Sequence, residues 1–239
     1  RRVVADIREI MKLCDFGLPV TTITAKALVG YFLDLEVANL RTIPLARSSS
    51  HLGWQDDVGF LWGETLLTSK AISTATTNVS FRAQDAGDAQ LATALHALGD
   101  ETAWSGAINS LYAFSRVIIT VLASLSSPFV RVLNAANIIV DLAGETSKGK
   151  TISQRVAASA WGNPDERGSG SVVNSWFTTE RWFDRASTLF NGIPVILDDT
   201  KTAKSPEVIS SMIYLFMSGK GKSCATLEGL RKVGTWKSI

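Results

Sequence analysis

Apolar residues along the chain switch between helical and extended spacing, and the switches mark the elements. Val3, Ile7, Ile10, Met11 and Cys14 recur at helical spacing and predict a helix over 3–14, ended by Gly17-Leu18-Pro19. A second helical stretch is predicted over 25–35, with Thr24 as its N-cap. Residues 41–67 are mixed: Gly53-Trp54 and the run from Gly59 to Gly63 suggest short strands and turns, and Val79-Ser80-Phe81 adds one more strand. A polar connection from Gln84 to Asp88 leads into two predicted helices, over 90–99 and 107–125, the second carrying a nine-residue apolar run read as buried.

Beyond residue 130 the alternation becomes regular. Asn137 to Ala143 reads as a short buried strand, 152–160 as a helix, and Ile193 to Asp199 as a central strand rich in β-branched residues. A helix over 206–217 and a final strand from Thr235 to Ile239 follow. Strands alternating with helices predict an α/β fold with a parallel sheet flanked by helices, preceded by a smaller α+β region. The boundary is set at the polar connection, giving regions 1–85 and 86–239.

The loop between strand 137–143 and its helix carries the most informative residues: Gly144, Glu145, Thr146, Ser147, Lys148, Gly149, Lys150 and Thr151. Two glycines, a lysine and a hydroxyl residue at this spacing fit a phosphate-binding P-loop joining a strand to a helix. The glycines let backbone N–H groups point at phosphate oxygens, and the helix start adds its positive dipole. Lys150 is expected to reach the β and γ phosphates of ATP, and Thr151 to hold Mg2+. Hydrolysis needs acids as well, and Ile193 to Asp199 supplies two. Asp198, at the end of its strand, is placed to hold magnesium, and Asp199 to polarise the attacking water. This assigns Lys150, Asp198 and Asp199 to catalysis in a P-loop NTPase.

A third cluster, Ser218-Gly219-Lys220-Gly221-Lys222-Ser223, continues to Arg231-Lys232 and reads as a basic loop or hairpin. Flexible lysines suit phosphate-backbone contact without base reading, and an unliganded charged hairpin is the other reading. Trp161, Trp176, Trp182 and Trp236 stand beside apolar residues and are expected to pack in cores rather than to stack on bases.

Composition limits the alternatives. With 239 residues, 46% of them hydrophobic and 19% charged, the chain can bury a full core and is neither disordered nor fibrous. A net charge of +2 is too weak a bias to demand nucleic acid by itself. Cys14 and Cys224 form no metal-ligand pair, His51 and His96 stand alone, and a reducing, cytoplasmic setting without a membrane is expected. The chain reads as a fragment at both ends, opening on Arg1-Arg2 without a Met and closing on the strand at Ile239.

In order, Gly144 to Thr151, Val156 to Pro164 ending in W-G-N-P, Trp176, Thr179, Asn191, Leu197-Asp198-Asp199, Tyr214, Gly219 to Ser223 and Thr235-Trp236 resemble the ATPase domain of the Cch-like helicases of cassette chromosomes and phages, catalogued as a domain of unknown function. The resemblance implies an AAA+ ATPase laid out like the MCM helicases, working as a homo-oligomeric (hexameric) ring that pulls DNA through its centre. It also implies that Lys220, Lys222, Arg231 and Lys232 face DNA, and that the sensor and arginine-finger elements follow Ile239. The family usually has Glu at Asp199, Asp at Gly192, Asn at Ser218 and Arg at Cys224. The function expected is an ATP-driven DNA helicase or translocase of a mobile element; the alternatives are a nucleotide-gated switch or assembly ATPase, or an inactive P-loop scaffold.

Overall fold

In a computed structural model, the chain is described over residues 10–42, 47–56, 58–68, 79–145, 147–168, 170–223, 225–226, 229–230 and 233–239. It divides into two compact units, Arg1–Ala46 and Arg47–Ile239.

In the first unit a 3-10 turn, Lys12–Phe16, ends at Gly17 in the left-handed conformation, and α1 spans Ala25–Ala38. Residues 3–9 of the helix expected there lie outside the described residues. Ile10, Val20 and Ala25 form the buried centre, with Leu28 and Phe32 packed against it. Thr24 does not cap α1 through its side chain; its hydroxyl instead accepts the Thr21 N–H at 2.9 Å while Thr21 Oγ1 accepts the Thr24 N–H, so the two threonines close a turn of their own.

The second unit is a mixed α/β assembly of short sheets and helices. β1 (Arg47–Ser49) pairs in parallel with β5 (Val79–Phe81), and β2 (Gly53–Trp54), β3 (Phe60–Trp62) and β4 (Thr65–Leu67) form an antiparallel meander. These strands, which precede residue 85, share one buried core with Ala158, Trp161, Val173, Leu189 and Ile193 from the later part of the chain. Helices α2 (Ala86–Thr93) and α3 (Glu101–Ser110) start where Asp85 and Asp100 accept backbone N–H groups of Asp88 and Ala103, at 2.9 and 2.8 Å. Those two caps explain why the helices begin earlier than the apolar spacing implies.

Helix α4 (Ser115–Val132) is displaced toward the C-terminus from the helix expected over 107–125, whose first residues belong to α3, and its apolar run is only partly buried. Ser124 and Ser127 are buried, whereas Ile119, Leu122 and Phe129 are more than half exposed. The small face lets α4 lie close against α5 (Lys150–Ala158), where Ser124 donates to the Ala157 carbonyl and accepts from Trp161 Nε1. With mean hydropathy 1.3 over 18 residues, α4 is long and apolar enough to cross a membrane by length and composition, although about a quarter of it (28%) is buried inside the protein.

β6 (Val173–Ser175) and β7 (Ile196–Asp198) form a two-stranded parallel sheet, joined through α6 (Glu180–Leu189), and α7 (Pro206–Ser218) follows β7. β8 (Ala225–Thr226) and β9 (Gly229–Leu230) make the hairpin expected in the basic cluster. The parallel sheet is therefore narrower than expected. Asn137 to Ala143 carries no strand ladder: its one backbone bond of this kind runs from the Ile138 N–H to the Ser238 carbonyl at 3.4 Å. Thr235 to Ile239 makes a single bridge, Lys220 with Thr235, yet it lies between two segments. On one side the Asn137 carboxamide accepts the Ser238 N–H; on the other the Val195 N–H reaches the Ile239 carbonyl at 3.0 Å and Ser238 Oγ donates to the Ile193 carbonyl. Trp236 anchors this segment, 2% exposed beside Phe183, Met212 and Phe216.

Candidate functional site

Gly149, at φ 84°, starts α5 in a left-handed turn that L side chains rarely adopt, and no side chain caps the helix. The first backbone N–H groups of α5 are thereby left available at the mouth of a cleft of about 1150 Å³. Gly144, Ser147, Gly149, Lys150 and Thr151 line that cleft, and so do Asp198 and Asp199 from the end of β7. Loop and acids, far apart in sequence, share one cavity. Thr146 lies outside the described residues, and Lys148 makes only a long exposed pair with Glu145 at 3.9 Å.

The Lys150 ammonium is turned back onto its own loop, donating to the Gly144 carbonyl at 2.8 Å and the Glu145 carbonyl at 2.5 Å. Among the described residues it forms no ion pair and is held by neutral acceptors, although Asp141, Glu145, Asp198 and Asp199 line the same cleft, so an anion entering beside it has a charge to meet. Asp198 is half-buried; one of its oxygens accepts the Asp199 N–H at 2.9 Å. Asp199 stands at φ 57° and is exposed, and its carboxylate accepts the Lys201 N–H, capping the 3-10 turn Thr200–Thr202. In this arrangement the second acid is engaged by its own turn.

Gln154 is a site residue that motif reading passed over. It follows Lys150 by one helical turn and so shares its face, and its side-chain amide donates to the Leu197 carbonyl at 2.6 Å, tying the phosphate-loop helix to the strand of Asp198. Its spacing from Lys150 was the available signal. One residue further, Arg155 forms a bidentate pair with Glu166. Hydrogen bonding to the guanidinium holds the Glu166 carboxyl below its usual range, and the same bond raises Arg155.

The W-G-N-P stretch is structural. Trp161 is buried, its carbonyl accepts Trp62 Nε1 at 2.9 Å, and a Cβ on Gly162 would stand 1.9 Å from the Ala94 carbonyl oxygen. Trp236 is likewise core, and Trp176 and Trp182 pack partly buried against the same cluster. Of the basic cluster, Lys220 is exposed, while Lys222 pairs with Glu180 and, with help from the Ser211 hydroxyl, holds that carboxyl below its usual range. Arg231 and Lys232 lie outside the described residues. No cluster of three or more His, Cys, Asp or Glu residues suited to a metal occurs among the described residues.

No curated protein matches the chain. The family model that matches residues 4–236 is described as "Domain of unknown function (DUF927)". No P-loop helicase family matches, which corrects the identification with the Cch-like helicases drawn from the motifs. Several of the residues that carried that resemblance, Trp161 and Trp236 among them, are core-packing residues, and such residues report a fold more than an activity. Matched over residues 4–236, nearly its whole length, the chain belongs to the DUF927 family, a domain of unknown function.

Proposed function

We propose that the chain is a Mg-dependent P-loop ATPase, the nucleotide-hydrolysing domain of a DNA helicase or translocase. The single observation that carries the reading is that the Gly144–Thr151 loop and the Asp198-Asp199 pair line one cleft. The position of residues 235–239, bonded to Asn137-Ile138 on one side and Ile193–Val195 on the other, supports it, because it would let the loop segment and the acidic strand belong to one layer. That relation is what an AAA+ type of sheet requires, and it is proposed here rather than read from the short ladders.

The donor set fits a magnesium nucleotide. Backbone N–H groups at the start of α5 and the Lys150 ammonium would hold the phosphates, and the Thr151 hydroxyl and Asp198 carboxylate would hold Mg2+. The bound ion would neutralise charge on the phosphate oxygens. Lys150 would exchange its two carbonyl acceptors for phosphate oxygens, and Gln154 would keep Asp198 in register with Thr151 through the Leu197 carbonyl. Asp199 would accept a proton from water once its carboxylate leaves the Lys201 N–H. Assembly as a homo-oligomeric ring belongs to the same proposal.

Phosphate release from Mg-ATP by the full chain, with and without single-stranded DNA, tests the reading. Hydrolysis that DNA stimulates and Lys150→Ala abolishes supports it. Hydrolysis indifferent to DNA favours a nucleotide-gated switch, and absence of nucleotide binding would mean a scaffold with a relic loop.

A further inference from the structure

Phe177 is 84% exposed, on the turn between β6 and α6. An aromatic ring so far out of the core is not held there by packing, but its backbone is fixed. The Phe177 N–H donates to Ser175 Oγ at 3.0 Å, the Thr178 N–H returns to the Trp176 carbonyl at 2.8 Å, and Trp176 itself packs against the core of Phe183 and Trp236. The ring is thus presented to solvent by a pinned turn.

The same turn is joined to the loop that follows Asp199. Ser175 Oγ lies 2.9 Å from Thr202 Oγ1, and the Thr202 hydroxyl donates to the Asp199 carbonyl at 2.7 Å. On either side of Thr202 stand Lys201 and Lys204, and Arg181 lies in the first turn of α6; all three are exposed and make no ion pair among the described residues. The acids nearby in sequence are Asp198, which accepts the Asp199 N–H, Asp199, occupied with the Lys201 N–H, Glu180, occupied by Lys222, Glu207, whose carboxyl the Ser205 hydroxyl holds below its usual range, and Asp184, one turn after Arg181 on α6, which forms no ion pair with it among the described residues. An exposed aromatic plane on a rigid turn, flanked by uncommitted cations, matches a single nucleic-acid strand, in which every base has a face to stack and every linkage a phosphate to neutralise.

We infer that Phe177, with Arg181 and Lys204, forms the contact surface for single-stranded nucleic acid, and that the strand is sensed at Asp199 through Ser175 and Thr202. The inference rests on the nucleotide-hydrolysing reading only for its second half. It moves the principal contact away from the Lys220–Lys232 cluster, where Lys222 already has a carboxylate partner.

The test is fluorescence anisotropy of a labelled oligo-dT with the full chain, alongside the thermal shift given by Mg-ATP. Phe177→Ala should weaken oligonucleotide binding about tenfold, within the range of one lost base stack, and Phe177→Trp should restore it. Lys204→Ala should lower the slope of log K against log salt by about 1. The Mg-ATP shift should be the same in Phe177→Ala as in wild type, since Phe177 lies outside the cleft. Wild-type affinity in Phe177→Ala, a loss that Trp does not restore, or no oligonucleotide binding by the wild type overturns the surface while a retained Mg-ATP shift leaves the nucleotide reading standing. Preference for labelled poly-glutamate over the oligonucleotide also overturns it, in favour of an acidic polypeptide. The Phe177 pattern without any Mg-ATP shift keeps the surface and sinks the nucleotide reading instead.

Discussion

Replacing Lys150 by alanine separates a phosphate site from a glycine-rich turn. Without ligand, the ammonium makes two hydrogen bonds to loop carbonyls, at 2.8 and 2.5 Å, in an exposed position, so the substitution costs the unliganded protein little: water takes over both carbonyls. With a nucleotide bound, the same ammonium would face phosphate oxygens. One unit-charge contact at about 4 Å and an effective dielectric of about 20 gives roughly 4 kcal/mol, from which the surrendered carbonyl bonds must be subtracted at about 1 kcal/mol or more. A net loss near 2.7 kcal/mol corresponds to about 100-fold in Kd. At a Mg-ATP concentration of about 100 times the wild-type Kd, ligand stabilises the wild type by about 2.7 kcal/mol, and a 100-fold weaker variant by only about 0.4 kcal/mol. Chemical unfolding at fixed Mg-ATP therefore should show a large ligand-dependent gain for wild type, little for Lys150→Ala, and nearly equal midpoints for the two without ligand. Equal ligand-dependent gains would refute the assignment of Lys150, and a large unliganded loss would mean that the lysine holds the loop together.

Three further outcomes follow from particular contacts. Asp199→Glu should raise the rate of Mg-ATP hydrolysis, because the added methylene frees the carboxylate from the Lys201 N–H that now engages it; a rate at or below wild type counts against Asp199 as the water-activating group. Gly162→Ala should cost about 1–3 kcal/mol in urea unfolding, since its Cβ would meet the Ala94 carbonyl oxygen at 1.9 Å and backbone must move; an unchanged midpoint would show that the approach relaxes freely. The Glu166 carboxyl is held low by Arg155, so its stabilisation is complete above the unfolded carboxyl pKa of about 4.3 and is lost as pH falls through the lower folded value. Glu166→Gln should accordingly lower Tm at neutral pH by an amount that shrinks to nothing on acidification, and a deficit independent of pH would assign Glu166 a packing role.

What the sequence by itself determined is local. Glycine, lysine and hydroxyl spacing located the loop at 144–151, the apolar run ending in two acids located β7 and Asp198, and the period-3.6 stretch beyond Pro206 located α7, because each depends on neighbours a few residues apart. The tertiary structure decided everything that depends on distant partners. Asn137 to Ala143 looks like a strand but pairs in no ladder, making a single backbone bond to Ser238, since strand pairing is made by another segment and not by the segment's own composition. Ile119, Leu122 and Phe129 of α4 lie outward, while Ser124, bonded to the Ala157 carbonyl and to Trp161 Nε1, sits on the face packed against α5, an arrangement that hydropathy alone does not indicate. Lys222 is a charge in the sequence and half of an ion pair in the fold, and Asp199 is a second acid in the sequence and the cap of a 3-10 turn in the fold. Spacing specifies which groups are available; only packing decides which of them are already engaged, and Lys150, held by carbonyls alone at the cleft, and Phe177, exposed on its turn, are where chemistry and binding remain open.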